Sequence, residues 1–220
     1  MKHASGLLAL TFALGALASS PAMSAPASSF DTSAEGWQVV DFSCCNSYVA
    51  PASVFAPVWQ AGGFIEFNDP SEGSFYFSAP TSFLGNLGAY SGGSLRFTQQ
   101  VTAPAGFGAW RDDPDVVMVS GGRALVWRGD ANPGSSWTPQ QVTFSATGWH
   151  FDSLGGAAVS DSGFASALGS VSALYIRGEY VSGVVEKTGL DAVQISAVPE
   201  PATALMMLAG LGVIAARRRR

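Results

Sequence analysis

Residues 173–180 read Ala-Leu-Tyr-Ile-Arg-Gly-Glu-Tyr, and this stretch indicates the fold more clearly than any other. Its side chains alternate between two faces, which carry Leu174, Ile176 and Tyr180 on one side and Tyr175, Arg177 and Glu179 on the other. Because successive side chains of a strand point to opposite faces, a period of two predicts a β-strand with one core-facing side. We therefore expect Ile176→Ala to destabilise the fold, and Arg177→Ala on the opposite face to be milder.

Short apolar runs recur on both sides of this segment, separated by Gly, Pro, Asn and Asp. They predict strands at 64–67, 74–78, 116–119, 124–127 and 190–196. Gly121-Gly122 predicts a hairpin turn, and only 162–168 is typical of a helix. Eight or more strands with so little helix predict an all-β fold, an antiparallel β-sandwich. Its expected core includes Phe75, Phe77, Leu95, Phe97, Val117, Val142, Phe144, Leu174 and Ile176.

The first 27 residues are predicted to be a secretory signal peptide. Lys2 and His3 precede an apolar run at 7–18 and a stretch of small residues at 19–29, which is the order of the charged, apolar and cleavage regions. Two triplets fit the cleavage site, Ala22-Met23-Ser24 and Ala25-Pro26-Ala27. We expect the mature chain to begin between Ala25 and Ser28.

The last 23 residues comprise Val-Pro-Glu-Pro at 198–201, an apolar run at 202–216 and four arginines, Arg217, Arg218, Arg219 and Arg220. The arginines predict a membrane stop, because they enter hydrocarbon at high cost and positive charge favours the cytoplasmic side. At about 1.5 Å per residue the apolar run spans roughly 22 Å, short of a ~30 Å hydrocarbon core. It suits transient membrane association, with the rest of the protein on the extracytoplasmic side. A permanent C-terminal anchor helix is the alternative.

This three-part tail, 198–220, resembles the PEP-CTERM sorting signal of Gram-negative bacteria, with Pro199, Glu200 and Pro201 as the defining triplet. The resemblance implies that an exosortase-type transpeptidase recognises the tail and cleaves it. An export signal at one end and a sorting signal at the other predict a cell-surface or secreted protein.

Between the two signals, residues 28–197 are long enough for one domain with a sizeable core. After removal of the signal peptide and of residues 202–220, six basic and sixteen acidic residues remain, a net charge of −10. Because a domain this acidic repels phosphate backbones, nucleic acid is not expected as a partner. Cys44 and Cys45 are the only cysteines. In an oxidising compartment they could form a vicinal disulfide, pair between chains or remain thiols.

Several ordered stretches in the middle of the chain are together typical of one known module. Among them are FYFSAP at 75–80, FLGN at 83–86, YSGGSL at 90–95 and LYIRGEY at 174–180. Over residues 36–196 the chain resembles the laminin B domain, also called laminin IV type A. The resemblance implies a jelly-roll-like β-sandwich similar to carbohydrate-binding modules, in an extracellular-matrix or cell-surface setting. The cysteine-rich EGF-like neighbours of that module are missing from this sequence, so a laminin-like assembly role is not implied.

Few residues are candidates for catalysis. His150 is the single histidine of the mature domain, and no nucleophile motif accompanies it. The paired carboxylates of a glycosidase could come from Glu66, Glu72, Glu179 and Glu186, although nothing in the sequence marks a pair. Since laminin B domains are not known as enzymes, the resemblance predicts no catalytic residues. The alternative is a secreted hydrolase that acts on envelope or matrix glycans.

Two acidic sets are candidates for Ca²⁺, which takes six to eight oxygen ligands in flexible geometry. Asp112, Asp113 and Asp115 form the densest cluster, for which a solvated loop is the alternative. Asp31 and Asp191 lie near the two ends of the domain. Jelly-roll carbohydrate modules often hold a structural Ca²⁺ where their first and last strands lie side by side, so the resemblance implies such an ion there.

The mature domain holds all six tryptophans of the chain. Exposed Trp and Tyr side chains suit binding, because they present a large and rigid contact area. We expect Trp37 and Trp127 in the core, and Trp110 and Tyr90 as ligand contacts. The predicted function is an exported, non-enzymatic surface or extracellular-matrix module that binds polysaccharide or another surface protein. A purely structural component is a further alternative.

Overall fold

The computed structural model describes residues 24–42, 47–69, 73–103, 112–181 and 183–198. Several predicted features therefore lie outside the described residues, namely Cys44, Cys45, Glu72, Trp110, the Pro199-Glu200-Pro201 triplet, the apolar run 202–216 and Arg217–Arg220. Within the described part of the chain, no helix has the length and hydropathy needed to cross a membrane.

The described residues form thirteen strands and one α-helix, with two short 3-10 turns at Thr81–Phe83 and Gly88–Tyr90. The elements in chain order are β1 (Ala27–Ser28), β2 (Gln38–Phe42), β3 (Ser53–Phe55), β4 (Val58–Gln60), β5 (Phe64–Asn68), β6 (Ser74–Ser78), β7 (Ser94–Thr102), β8 (Val116–Ser120), β9 (Arg123–Trp127), β10 (Thr138–Thr143), β11 (Trp149–Phe151), α1 (Asp161–Leu168), β12 (Val171–Arg177) and β13 (Lys187–Ser196).

Two antiparallel sheets pack face to face. The six-stranded sheet has the order β10-β7-β13-β5-β4, with β1 added to β13, and the seven-stranded sheet has the order β11-β9-β8-β12-β6-β2-β3. Every strand pair in both sheets is antiparallel. The predicted all-β, antiparallel sandwich is confirmed.

The core between the sheets contains almost every side chain that the sequence places there. Phe75, Phe77, Leu95, Phe97, Val142, Phe144, Leu174 and Ile176 all belong to one buried cluster. Val117 is also buried, but it lies in a second cluster on the opposite face of the seven-stranded sheet, beside Tyr76 and Tyr175. Strand β8 is therefore covered on both faces, which explains its continuous apolar run.

The stretch 173–180 forms β12 only as far as Arg177. Leu174 and Ile176 face the inter-sheet core as expected. The chain then leaves the strand at Gly178, whose N–H donates to the Phe75 carbonyl. A Cβ at this glycine would stand 2.0 Å from the Phe75 ring, so no side chain fits there.

The position of Arg177 corrects the prediction that Arg177→Ala is milder than Ile176→Ala. Its side chain is completely buried, because the far face of β12 is covered as well as the near one. Its guanidinium contacts protein acceptors instead of water, and Nη1 donates to Asp115 Oδ1 at 3.2 Å. Arg177→Ala must therefore remove the ion pair of a buried carboxylate, a cost that the alternating pattern could not indicate.

The predicted turn and helix are both present. Gly121 and Gly122 join β8 to β9 with φ angles of 57° and 75°, which are the positive values that this tight hairpin turn requires. Helix α1 matches the predicted 162–168 within one residue. Its N-cap is Ser160, whose Oγ accepts a hydrogen bond from the Gly163 N–H at 3.1 Å.

Candidate functional site

Tyr90, one of the two expected ligand contacts, is part of the core. It is only 8 % exposed and packs in the inter-sheet cluster, because the 3-10 turn Gly88–Tyr90 directs its ring inward. This corrects the prediction of a surface contact. The exposed tryptophans of the described residues are Trp59 and Trp137, with 37 % and 39 % of their surface accessible.

Trp137 lies on the face of the six-stranded sheet that points away from the core. Its ring meets the Phe64 ring edge to face, with the centroids 5.2 Å apart. The indole lies over Gly189 of β13, where a Cβ would stand 3.0 Å from Trp137 Cη2. The glycine thus lets a large aromatic ring lie close against the sheet, as a half-exposed platform.

Polar side chains surround this platform. Gln60 Nε2 donates to Glu66 Oε1 at 2.7 Å, and Lys187 Nζ lies 3.1 Å from Glu66 Oε2. Gln100 stands beside Gly189 on the neighbouring strand β7. We call the set of Gln60, Phe64, Glu66, Gln100, Trp137, Lys187 and Gly189 the aromatic sheet face.

The aromatic sheet face combines an apolar ring surface with amide, ammonium and carboxylate groups. Sequence reasoning missed it, because its members come from four separate segments of the chain. Gly189 gave no signal, because it lies just before the predicted strand 190–196; only the structure places it inside β13, where a glycine allows the close approach of another group. Ring stacking together with such polar groups suits a ligand with alternating CH faces and hydroxyls.

The structure brings Asp31 and Asp191 into one open cleft, of about 490 Å³, beside β1 and β13. Asp31 Oδ2 accepts from the Ser29 hydroxyl at 2.7 Å, and Asp191 Oδ1 accepts from the Ala192 N–H at 2.5 Å. Burial raises the pKa of the Asp191 carboxyl, and the negative charge of Asp31 raises it further. The hydrogen bond from the Ala192 N–H lowers it in part. Among the described residues, no group of three or more His, Cys, Asp and Glu could hold a metal. The calcium ion at this pair stays a prediction.

The acidic cluster 112–115 is bound by protein donors. Asp112 pairs with Arg128, Asp113 Oδ2 accepts from the Ser74 hydroxyl at 2.8 Å, and Asp115 Oδ2 accepts from the Gly129 N–H at 2.8 Å. Burial raises the pKa of Asp115, although the Gly129 N–H and the Arg177 guanidinium lower it. These contacts give Asp113 and Asp115 a structural role, whereas the Asp112 side chain is mostly exposed.

The candidate catalytic residues lie in different surroundings. Glu66 belongs to the aromatic sheet face, whereas Glu179 and Glu186 are buried near the C-terminal end of β12. One oxygen of Glu186 accepts from the Tyr180 N–H. His150 lies on β11, and its Nδ1 is 3.0 Å from the Gly156 carbonyl oxygen.

The comparisons with known proteins agree with this architecture. The sequence profile of the family Laminin B (Domain IV) matches residues 76–206, and that of the PEP-CTERM protein-sorting motif matches residues 197–220. A search of curated proteins finds no match. Among solved structures, the L4b domain of human laminin alpha-2 is similar, with a TM-score of 0.62. The alignment covers 79 % of this chain and 98 % of that domain at 16 % identity, which shows a shared fold.

The sorting motif and the matched domain place the protein outside the cytoplasm, at the surface or secreted, with a C-terminal tail. The profile match extends over more than half of the chain, from the middle of β6 through β13. The chain belongs to the laminin B (domain IV) family.

Proposed function

We propose that this protein is a non-enzymatic surface module that binds polysaccharide on the aromatic sheet face. The observation that carries the proposal is the half-exposed Trp137 ring, which lies on Gly189 and Phe64 beside a row of hydrogen-bonding side chains. The export and sorting signals deliver the module to the extracytoplasmic side, where an exosortase-type system processes its tail.

The chemistry of the face supports a sugar ligand. One face of a pyranose ring presents C–H groups, which pack on an indole, while its hydroxyls point sideways toward hydrogen-bond partners. Gln60 and Gln100 each offer both a donor and an acceptor at the sides of the platform. Their positions on strands make the face rigid before binding, which limits the entropy lost when a ligand is ordered.

The charges favour an uncharged polysaccharide. On the face itself, the Lys187 ammonium is already paired with the Glu66 carboxylate at 3.1 Å. Farther along β7, the Arg96 Nε donates to Gln141 Oε1. The mature protein carries a net charge of −10, which repels uronate or sulfate groups at a distance. We therefore propose neutral glycans as the ligand class.

Glu66 gives the hydrolase alternative one specific observation in its favour, because its carboxylate stands on the same face as Trp137. A glycosidase needs a second carboxyl group within about 5–10 Å of the first, on the other side of the scissile bond. In the described residues, the Glu66 carboxylate accepts a hydrogen bond from Gln60 and pairs with the Lys187 ammonium. These contacts support a binding role for Glu66.

Affinity electrophoresis of the exported protein on a panel of neutral and acidic polysaccharides tests both ideas. We expect at least one neutral polysaccharide to retard migration, while no reducing ends are released on prolonged incubation. Release of reducing ends that Glu66→Gln abolishes would establish the hydrolase instead. Unchanged migration on every neutral polysaccharide would contradict the binding proposal.

A further inference from the structure

The two ends of the sandwich differ sharply in charge. Four segments without charged residues meet at the end where β13 finishes, namely 79–94, 143–149, 167–172 and 196–198. The charged groups that border them are the Arg123–Asp152 ion pair, next to the paired Ser120 and Val171, and Glu35, which precedes Gly36 beside Pro80. Backbone hydrogen bonds join them, from Gly85 to Val171, from Leu87 to Leu168 and from Gly92 to Phe144. We call this surface the exit end, because the chain leaves the sandwich there toward the sorting signal.

The opposite end collects acidic groups. Seven carboxylates and three cations lie in the turns and strand ends around the start of β13, so that the acids are in excess. The carboxylates are those of Asp69, Asp112, Asp113, Asp115, Asp130, Glu179 and Glu186, and the cations are Arg128, Arg177 and Lys187. Strand β13 connects the two ends with ten residues, a length of roughly 30 Å at about 3.3 Å per residue. The molecule therefore has an acidic end and an end with few charged groups, about four Debye lengths apart at physiological salt.

The short linker between β13 and the apolar run limits the distance between the domain and the membrane. Ser196 is still paired with Ser94 in the six-stranded sheet, and the apolar run begins six residues later, at Ala202. Six residues span at most about 20 Å even when fully extended. The lipid headgroup layer on one side takes up about 6 Å of that distance. While the run is in the bilayer, the exit end is thus held within about 15 Å of the lipid surface.

We propose that the exit end is a membrane-facing surface, which lies against the phospholipid headgroups as long as the sorting tail is attached. The short linker brings this end to the bilayer, and the small number of charged groups on it limits repulsion by anionic lipids. The acidic end is repelled by the same lipids and points outward. The lipid surface is favoured over the sorting enzyme as the partner, because the linker imposes the contact whether or not the enzyme is present. This orientation is independent of glycan binding.

Fluorescence quenching in vesicles tests the orientation. The full chain with Cys44→Ser and Cys45→Ser receives a single environment-sensitive label, either at Ala89→Cys on the exit end or at Asp130→Cys on the acidic end. Both residues are exposed. In vesicles of phosphatidylethanolamine and phosphatidylglycerol with a headgroup-linked quencher, we expect loss of fluorescence at 89 and little at 130. Ser91→Cys provides a second exit-end position in case the first label disturbs folding.

A flexible spacer is the matched control. A Gly/Ser insertion of about ten residues after Ala197 lets the domain move away from the bilayer, so the loss at 89 should decrease. Equal loss at both positions, or a larger loss at 130, would overturn the proposal. Loss at 89 that arises only when an exosortase is reconstituted in the same vesicles would also overturn it, in favour of a protein contact.

Discussion

At the scale of single residues, Arg177 is the group on which one end of the sandwich depends. Its Nε donates to the Glu179 carbonyl at 2.6 Å, its Nη1 donates to Asp115 Oδ1 at 3.2 Å, and the guanidinium lies 4.4 Å from the Tyr180 ring centroid. A buried cation with this set of partners fixes the turn after β12 as well as the side chain of Asp115. The alternation of side chains along the strand could not predict these contacts.

We predict that Arg177→Ala lowers the free energy of unfolding by about 3–5 kcal/mol, since it leaves Asp115 as an uncompensated buried charge. Ile176→Ala should cost about 2–5 kcal/mol, the usual range for a well-packed core position. Urea unfolding of both variants measures the two effects side by side. A loss below about 0.5 kcal/mol for Arg177→Ala would show that the buried network is not as described.

The buried Glu186 carboxyl makes the free energy of unfolding depend on pH. Burial raises the pKa of its carboxyl from 4.5 to about 7, with the charge of Asp69 adding to the rise and the Tyr180 and Val181 N–H groups opposing it. Because the folded state binds this proton more tightly than the unfolded state, the stabilisation is fully present below about pH 4.5 and is lost as the pH rises through about 7.

We therefore expect the free energy of unfolding to decrease by roughly 2–3 kcal/mol between those two pH values on account of this one group. Glu186→Gln, which resembles the protonated form, should remove this part of the slope and stabilise the protein at neutral pH. Some slope will remain, since burial also raises the pKa of Asp115 and Asp191. Denaturant unfolding as a function of pH checks this, and an unchanged slope in the variant would be the contrary result.

Alternation in the sequence predicted burial correctly for strands with one covered face. It failed where both faces of a strand are covered. Ile176 follows from alternation alone, whereas Arg177 needs the second cluster on the far side of the sheet. Trp137 was not singled out because its partners, Phe64 and Gly189, are distant in sequence and meet only through strand pairing. Tyr90 was misplaced because a 3-10 turn has no alternation from which to infer its direction.

At the scale of elements, β1 bears on where the signal peptide ends. Ala27 and Ser28 pair with Gln194 and Val193 of β13, and the Pro26 carbonyl accepts from the Ile195 N–H at 2.9 Å. Cleavage after Ala27 would remove half of this strand. Cleavage after Ser24 would keep all of it.

We predict that the mature chain begins at Ala25, because of the two cleavage triplets only Ala22-Met23-Ser24 leaves the contacts of Pro26 and Ala27 with β13 intact. N-terminal sequencing or intact mass of the exported protein identifies the first residue directly. A mature chain that starts at Ser28 would show that β1 is not required in the exported form.

The longer strands follow from the sequence because each has enough residues to show a period or a solid apolar run. Strand β6 spans the predicted 74–78, and β8 extends the predicted 116–119 by one residue. The three-residue strands β3, β4 and β11 were not predicted, since three residues cannot display alternation. These strands lie at or next to sheet edges, where pairing with a neighbour decides the conformation more than composition does.

At the scale of the whole molecule, the sorting tail is expected to be removed after export. The Pro199-Glu200-Pro201 triplet precedes an apolar run that is short for a permanent anchor. Protein recovered from its native host should therefore have an intact mass that lacks Ala202–Arg220. Detection of Arg217–Arg220 on the mature protein would contradict processing and restore the simple anchor.

The proposed binding of polysaccharide by the exported domain depends on a single indole. Trp137 contributes its ring face to the proposed ligand site, while Phe55 has a similar exposed fraction, 36 % against 39 %, on strand β3 of the other sheet. Phe55 packs on Phe67 with ring centroids 5.6 Å apart, so it is a matched control for the loss of an exposed aromatic ring.

The decisive measurement is titration calorimetry of the exported protein, Trp137→Ala and Phe55→Ala with the neutral polysaccharide that retards the wild-type protein. Loss of a central aromatic contact should raise the Kd of Trp137→Ala by about tenfold or more, equivalent to roughly 1.4 kcal/mol. Phe55→Ala should bind like the wild-type protein. Equal affinity of Trp137→Ala and the wild-type protein would contradict the assignment of the aromatic sheet face as the glycan site.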